Sequence, residues 1–289
     1  MGGVMIRGRN SSAIAVRRMD GGIEINSQPL ATLYKGKWRN VPLVRGIIML
    51  IETVALGTSA LMYSARVSTE TEDEKITSGM IWGSIVVGVV LAVALFFVLP
   101  LLIVRAFDAY IASSFLSNLV EGAIRIAFFV VYLVMIGHMR DIREIFGYHG
   151  AEHMSVNAYE SGVPLNVHSV RNYSTAHTRC GTSFLLVVLV IAVVVFALLG
   201  RPPIWIGIIS RIILIPVIAA VSYELLKFEA KHSHNRFVRW LLIPGLWLQA
   251  LTTRQPSDSQ LEVAIEAMKK ALETDGMYPD IHGCYAATQ

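Results

Sequence analysis

Charge is scarce in this chain. Asp, Glu, Lys and Arg make up 16% of its 289 residues and hydrophobic residues 54%, whereas a typical soluble domain carries about 25% charged residues. That deficit excludes a single water-solvated core, and the apolar excess excludes disorder. Cysteine is nearly absent: Cys180 and Cys284 have no paired spacing, so no disulfide framework can be drawn and the redox compartment stays open. A collagen-like period is missing, and so is any internal repeat or low-complexity block. The start MGGVMIRGRNSS has no apolar stretch after its basic residues, so no cleaved secretory signal is expected and the first apolar span must serve for insertion. Gly3 and Gly8 enclose four residues but lack the following Lys-Ser/Thr of a phosphate loop, which argues against nucleotide binding. The net charge of +4 comes from basic residues flanking apolar runs, not from one basic face. It therefore speaks for membrane topology and against a nucleic-acid partner.

What is present is length in apolar runs, with a mean hydropathy of +0.55. Residues 42 to 65 are apolar except for Arg45 and Glu52, enough at about 1.5 Å per residue to cross a hydrocarbon core of about 30 Å. Glu52 lies midway and needs a partner there, structural or substrate. A second run covers residues 76 to 104, after the acidic stretch 70 to 74, and the two read as a membrane hairpin. Residues 123 to 137 are short for a span and carry Arg125, so they are expected to enter and return or to lie in the interface. Residues 182 to 199 and 203 to 226, the latter containing Arg211, form a second hairpin across Gly200-Arg201-Pro202. Residues 237 to 250 are apolar but interrupted by Pro244-Gly245, which predicts a broken interfacial or re-entrant element.

Two polar ends complete the plan. Residues 13 to 27 alternate around Asp20-Gly21-Gly22 and predict a β-hairpin. Residues 257 to 273 predict an amphipathic helix, opened by a Ser257/Gln260 capping box, with Leu261, Ala264, Ile265, Met268 and Leu272 on one face and a Glu266 to Lys270 pair on the other. The tail from Asp275 is expected to fray. The fold class is thus mostly α: a polytopic helical membrane protein with a small N-terminal β-hairpin and a cytoplasmic C-terminal amphipathic helix. Its segments are 1–41, 42–137, 138–181, 182–226 and 227–289. The basic residues Arg7, Arg9, Arg17, Arg18, Lys35, Lys37 and Arg39 place the N-terminus inside. With four crossings the acidic stretch falls outside, and Arg105 and residues 138 to 180 inside; if residues 123 to 137 span instead, residues 138 to 180 face outward.

The polar middle carries the chemistry. His149 and His153 stand at i and i+4 on one helical face, and Glu152 lies at i+3 from the first, the H-x-x-E-H spacing of inverted zinc peptidases. In such a site the metal acidifies a water and the Glu takes its proton, so Glu152 is the expected general base. His177 and Cys180 form an H-x-x-C at the foot of the next apolar run, and a thiolate favours zinc over magnesium or calcium. His149, His153, His177 and Cys180 would make a closed, structural set; an open alternative takes Glu224, 71 residues after His153, as the third ligand, as inverted zinc peptidases take a downstream Glu. Glu224 reads equally well as a snorkelling or Arg211-paired carboxylate. Glu160 reads as an outer acceptor or a solvated acid, and His232 and His234 as a juxtamembrane basic patch.

The stretches GYHGAEHMSVNAYESG (147 to 162), HTRCGTSFLL (177 to 186), SYELLKF (222 to 228) and PGLWLQALTTRQPSDSQLEVAI (244 to 265), with the early GVMIRG (3 to 8), resemble the YqhQ-like membrane family, domain of unknown function 1385. The resemblance spans nearly the whole chain. It implies a bacterial integral membrane protein, multi-pass in the plasma membrane, of a family with an unassigned biochemical role that is sometimes described as metal-dependent. Met154 and Thr178 stand where many relatives have Lys and Pro, and neither change removes a ligand. Two functions remain open: a zinc-dependent hydrolase or peptidase at the bilayer, or a non-enzymatic assembly or scaffold factor with a structural metal or hydrogen-bond cluster. In the second, the C-terminal helix would recruit a protein partner.

Overall fold

A computed structural model describes residues 2–31, 36, 38, 41–68, 78–177, 180–200, 202–232 and 235–277. The acidic stretch, Lys35, Lys37, Arg39, Thr178, Arg179, His234, Cys284 and the tail beyond residue 277 lie outside the described residues. The chain is mostly helical with one small sheet, as its periodicities predict.

The expected hairpin is present as β2 (Ser11–Arg17) and β3 (Ile23–Pro29). Its turn uses Gly21 at φ +87°, and the Asp20 carboxylate accepts from the Gly22 amide at 2.8 Å. A third strand, β1 (Gly3–Arg7), pairs antiparallel with β2, Val4 opposite Ala15. Five residues with two buried side chains, Val4 and Ile6, are too brief a pattern to separate from a polar tail without the partner strand. Strand β2 is buried on both faces because each meets a different layer. Ala13 and Ala15 face α5 (Arg140–Glu160) and α11 (Asp258–Thr274), whereas Ile14 and Val16 pack with Val67 of α1 (Val44–Ser68).

Helix α11 begins with the expected capping box and buries Leu261, Ala264, Ile265, Met268 and Leu272 against the sheet and α5. Each large side chain among them contributes roughly 1.5–3 kcal/mol. Its apolar face is thus covered from within the chain. On the exposed side Lys269 pairs with Glu266 and Lys270 with Glu273, in place of the expected i,i+4 pair. Asp275 does not fray: its carboxylate accepts from the Arg9 and Asn10 amides and from the Ser11 hydroxyl, tying this helix to the β1–β2 turn.

Among the described residues four helical stretches are long and apolar enough to cross a membrane: Val44–Val67, Trp82–Ala106, Ser114–Ile136 and Gly181–Leu198. The second comprises α2 (Ser78–Val93), a π-helical turn (Ala94–Val98) and α3 (Leu99–Ala106), and the last two are α4 and α7, with α5 and the single turn α6 (Val167–Val170) between them. A fifth is completed by α8 (Ile204–Ile213) and α9 (Ile215–Lys231) if their 46° bend counts as one span. Two expectations are corrected here. The segment read as short is a 23-residue helix, α4, which starts at the Ser113 N-cap because polar residues in its first turns belong to it. Glu121 pairs with Arg125 at 2.5 Å and with Arg211 at 2.7 Å, and Arg125 donates to the Phe96 carbonyl in the π turn. Both guanidiniums stack near the Phe196 ring, at 5.0 and 4.8 Å from its centre. Residues 237 to 250 lie within one helix, α10 (Arg236–Thr252), which runs on through Pro244.

The bundle has two distinguishable ends. At one, Arg105 donates to the Pro202 carbonyl and Asn118 to the Gly200 carbonyl at 2.8 Å. At the other, the start of α7 meets α10, Gln249 donating to the Ser183 hydroxyl at 2.8 Å, and α4 runs out into α5. Arg105 and residues 138 to 180 therefore lie at opposite ends, against expectation, because α4 runs the full length between them. Helix α1 rests on the sheet: Arg7 bridges to the buried Glu52 at 2.6 Å and Tyr63 donates to Glu24 at 3.0 Å. Beside its first turn Gly46 sits against Ala220 of α9, where an added Cβ would come within 2.7 Å of the Ala220 Cα.

Candidate metal centre

Helix α5 presents His149 and His153 one turn apart, their ring centres 4.4 Å from each other. Each Nδ1 faces a backbone carbonyl, His149 that of Thr252 at 2.9 Å and His153 that of Thr175 at 2.6 Å. A carbonyl can only accept, so each Nδ1 carries its proton and each Nε2 is left for another partner. That partner is Cys180, whose Sγ lies 3.3 Å from the His149 Nε2. Cys180 is the N-cap of α7, and its sulfur also meets the Thr182 amide at 3.4 Å and the Thr182 hydroxyl at 3.0 Å. Ligating atoms of His149, His153 and Cys180 all lie within 4.8 Å of one another.

The local sequence explains why these three meet. Gly147 and Gly150 flank His149 on α5, and the chain after α10 closes against them: a Cβ at Gly150 would stand 2.1 Å from the Arg254 carbonyl oxygen. The Arg254 amide donates to the Phe146 carbonyl at 2.9 Å, which fixes the turn that delivers the Thr252 carbonyl to His149. Asn157, one turn beyond His153, donates to the Ser174 and Ala176 carbonyls at 2.8 and 3.0 Å and so holds Thr175 between them. Gln249, only 1% exposed, accepts from the His177 amide at 3.0 Å and donates to the His177 carbonyl and the Ser183 hydroxyl, both at 2.8 Å. It staples the strap carrying Cys180 to α10. Sequence reasoning passed over Gln249; the available signal was an amide inside an otherwise apolar helix, which demands partners.

The other expected ligands are elsewhere. His177 turns its Nε2 towards the Glu160 carboxylate at 3.4 Å, its ring centre 5.8 Å from that of His153, and does not join the three-residue group. Glu224 is engaged by Arg45 and accepts from the Leu43 amide at 3.0 Å, so it holds α9 to the start of α1. Arg211, weighed as its partner, belongs to Glu121. Glu152 is half-buried beside the cluster without being one of its three close ligands.

Electrostatics follow from this geometry. Burial alone would push the Cys180 thiol up, but hydrogen bonds from His149 and His153, the His149 charge and Thr182 outweigh it and hold the thiol down at about 5. Burial would depress His149, yet the Cys180 sulfur and the Thr252 carbonyl raise it to about 9. Burial lifts the Glu152 carboxyl above its usual range, against the charges of the two histidines.

Two imidazole nitrogens and a thiolate, with each imidazole oriented by a carbonyl behind it, form a donor set suited to a borderline-soft cation such as zinc. Three protein ligands leave a fourth position, as catalytic sites require. The Glu152 carboxyl, of raised pKa and within range of the charges of this cluster, is of a kind suited to exchange a proton.

Comparison with known proteins places the chain. The model of a family described as Protein of unknown function (DUF1385) matches residues 41–274. The chain belongs to this family. It is also 32% identical over 289 residues to the uncharacterized protein YqhQ of Bacillus subtilis (strain 168), covering 95% of this chain and 91% of that protein. No solved structure matches. All three clustered residues and Gln249 fall inside the family match, whereas the three strands precede it.

Proposed function

We propose that this DUF1385 protein is a zinc-dependent hydrolase, a peptidase in class, whose single metal centre sits at the surface of a bacterial plasma membrane. The observation that carries the reading is the paired orientation of His149 and His153, each Nδ1 held by a carbonyl and each Nε2 turned towards the Cys180 side. A hydrogen-bond cluster alone would not require two imidazoles pinned in the same sense. Bound zinc would supply Lewis acidity and bring the pKa of a water towards about 7. His149, His153 and Cys180 would hold it, and Glu152 would take the proton from that water and return it to the leaving group. In the bilayer, α2–α3, α4, α7 and α8–α9 would cross, and α1 would lie between the sheet and the lipid surface. The basic residues of the sheet and of α5, Arg7, Arg17, Arg18, Arg140 and Arg143, argue that the centre faces the cytoplasm.

A second reading keeps the metal and drops catalysis: a structural centre in a membrane assembly factor. It is favoured by burial, since His153 is 4% and Cys180 5% exposed. A partner protein would then use the polar side of α11, its apolar side being filled.

Metal analysis of purified protein tests the shared premise, with one zinc per chain expected and lost in His149→Ala and Cys180→Ala. The absence of stoichiometric transition metal in the unmutated protein overturns it. Glu152→Gln separates the two readings. Metal retained while cleavage of a casein-type peptide substrate in detergent stops supports hydrolysis; unchanged cleavage or none in either protein favours the structural centre.

A further inference from the structure

The metal centre stands at the foot of a span. Cys180 directly precedes Gly181, where the apolar stretch Gly181–Leu198 begins, so its sulfur lies within about one helical turn, roughly 5.4 Å, of that boundary. The His149 Nε2, 3.3 Å from the sulfur, shares its level. Helix α10 marks the same level a second time. It follows α9 after residues 232–235 and ends at Thr252, whose carbonyl holds His149, so both of its ends lie on the side of the bundle where α9 stops and α5 runs. Between them it passes the first turn of α7: Gln249 donates to the Ser183 hydroxyl at 2.8 Å, and a Cβ at Gly245 would come within 2.9 Å of that oxygen. Its two faces differ. Gly245, Leu248, Gln249 and Thr252 recur at helical spacing and are buried, whereas Ile243, Trp247 and Ala250 on the opposite side are exposed, Trp247 at 75%.

A helix face of this kind, with an exposed tryptophan beside the polar end of a span, belongs in the headgroup layer. The face behind it carries the centre: Gln249 staples the strap that delivers Cys180, and Thr252 orients His149. The donor atoms and the lipid surface are therefore about one helix diameter apart, roughly 10 Å. A water-borne chain has to enter the headgroup layer at each encounter with such a centre. A chain tethered by its own apolar span holds its flanking bonds at that depth, which raises their effective concentration. We propose that the substrate is a membrane-anchored polypeptide, cut on the polar side of its anchor within a few residues of the lipid surface, while the exposed face of α10 sits among the headgroups beside the site. This rests on the hydrolase reading and the bilayer placement given above, to which it adds the substrate class.

Two measurements on full-length, zinc-loaded protein in phospholipid nanodiscs test it. The emission of Trp247, isolated as the difference between unmutated protein and Trp247→Phe, should be quenched by phospholipid brominated near the carbonyl end of its acyl chains and shielded from aqueous acrylamide. In the same nanodiscs, a casein-type peptide joined to a leucine-rich segment of about 20 residues, long enough to span, should be cleaved at least about tenfold faster than the free peptide at equal concentration. The cuts should fall within about five residues of the segment, an extended reach of roughly 17 Å. A Gly-Ser spacer of about 20 residues between anchor and peptide should remove most of the gain, since it lifts the bonds away from the lipid surface. Quenching of Trp247 by acrylamide alone overturns the seating of α10 and the proposal with it. Equal rates for free and anchored peptide, a gain kept through the spacer, or release of fatty acid from the nanodisc lipid in place of peptide cleavage overturns the substrate class and leaves a hydrolase standing. No cleavage of either peptide by protein that holds zinc and shows the lipid quenching removes the hydrolase reading, and the substrate class falls with it.

Discussion

Cys180 and His149 set the response of the centre to pH. In the unfolded chain the thiol titrates near its ordinary 9.0 and the imidazole near 6.5; in the fold they move to about 5 and about 9. The thiol, depressed by folding, contributes stability that is complete above 9.0 and lost as pH falls through about 5. The imidazole, raised by folding, contributes stability that is complete below 6.5 and lost as pH rises through about 9. Summed, the two contributions rise with pH between about 5 and 6.5 and then hold level, because from 6.5 to about 9 the thiol gains what the imidazole loses, so the melting temperature of metal-free protein should climb between about pH 5 and 6.5 and stay flat up to about 9. Cys180→Ser should remove that climb, and a rise unchanged by the substitution would remove the pair as its cause. At this scale the histidines and the cysteine were legible, because i,i+4 on a helix forces two rings together whatever the fold. The exclusion of His177 from the set was not. Gln249, 72 residues beyond His177 in sequence, decides the path of the strap, and no local spacing encodes that contact.

Helix α4 shows why element boundaries fail where charges are paired in three dimensions. Asn118, Glu121 and Arg125 depress its apolar signal and make its first turns look like a loop, yet all three are buried and bonded. Hydropathy counts each charge as solvated; the fold neutralises Glu121 with two arginines from different elements and gives Arg125 a carbonyl exposed by the π turn. By contrast α11 was legible almost residue for residue, since its cap and its apolar stripe are local properties. The triad carries its own test. Removing Glu121 leaves two buried guanidiniums facing the same apolar ring, a loss of about 3–5 kcal/mol for a broken buried ion pair. Glu121→Ala should lower the melting temperature of detergent-solubilised protein strongly, and Glu121→Ala with Arg211→Met should recover part of it. If the double variant is no more stable than the single one, the arginine charge is not what Glu121 compensates.

Across the whole molecule, the N-terminal sheet, the polar middle and the C-terminal helix share one core, although sequence order separates them by apolar helices. Joining them demands that the intervening helices return the chain to the same end each time. That condition fixes an even number of crossings between the sheet and α5, and again between α5 and α11. Helices α2–α3 and α4 satisfy the first, and α7 and α8–α9 the second. Under the bilayer placement proposed above, helix α1 does not cross, because its last turn packs by Val67 against the sheet from which the chain set out. Composition alone does not separate them, since Val44–Val67 passes the same length and hydropathy test as Trp82–Ala106, Ser114–Ile136 and Gly181–Leu198. Single cysteines introduced into a Cys180→Ser, Cys284→Ser background decide it with a membrane-impermeant maleimide. Arg66→Cys at the end of α1 and His168→Cys after α5 should react only when the cytoplasmic face is opened, and Ala112→Cys between α3 and α4 from outside in intact cells. Labelling of Arg66→Cys together with Ala112→Cys from outside would make α1 a span, and would require the sheet to part from it in the bilayer.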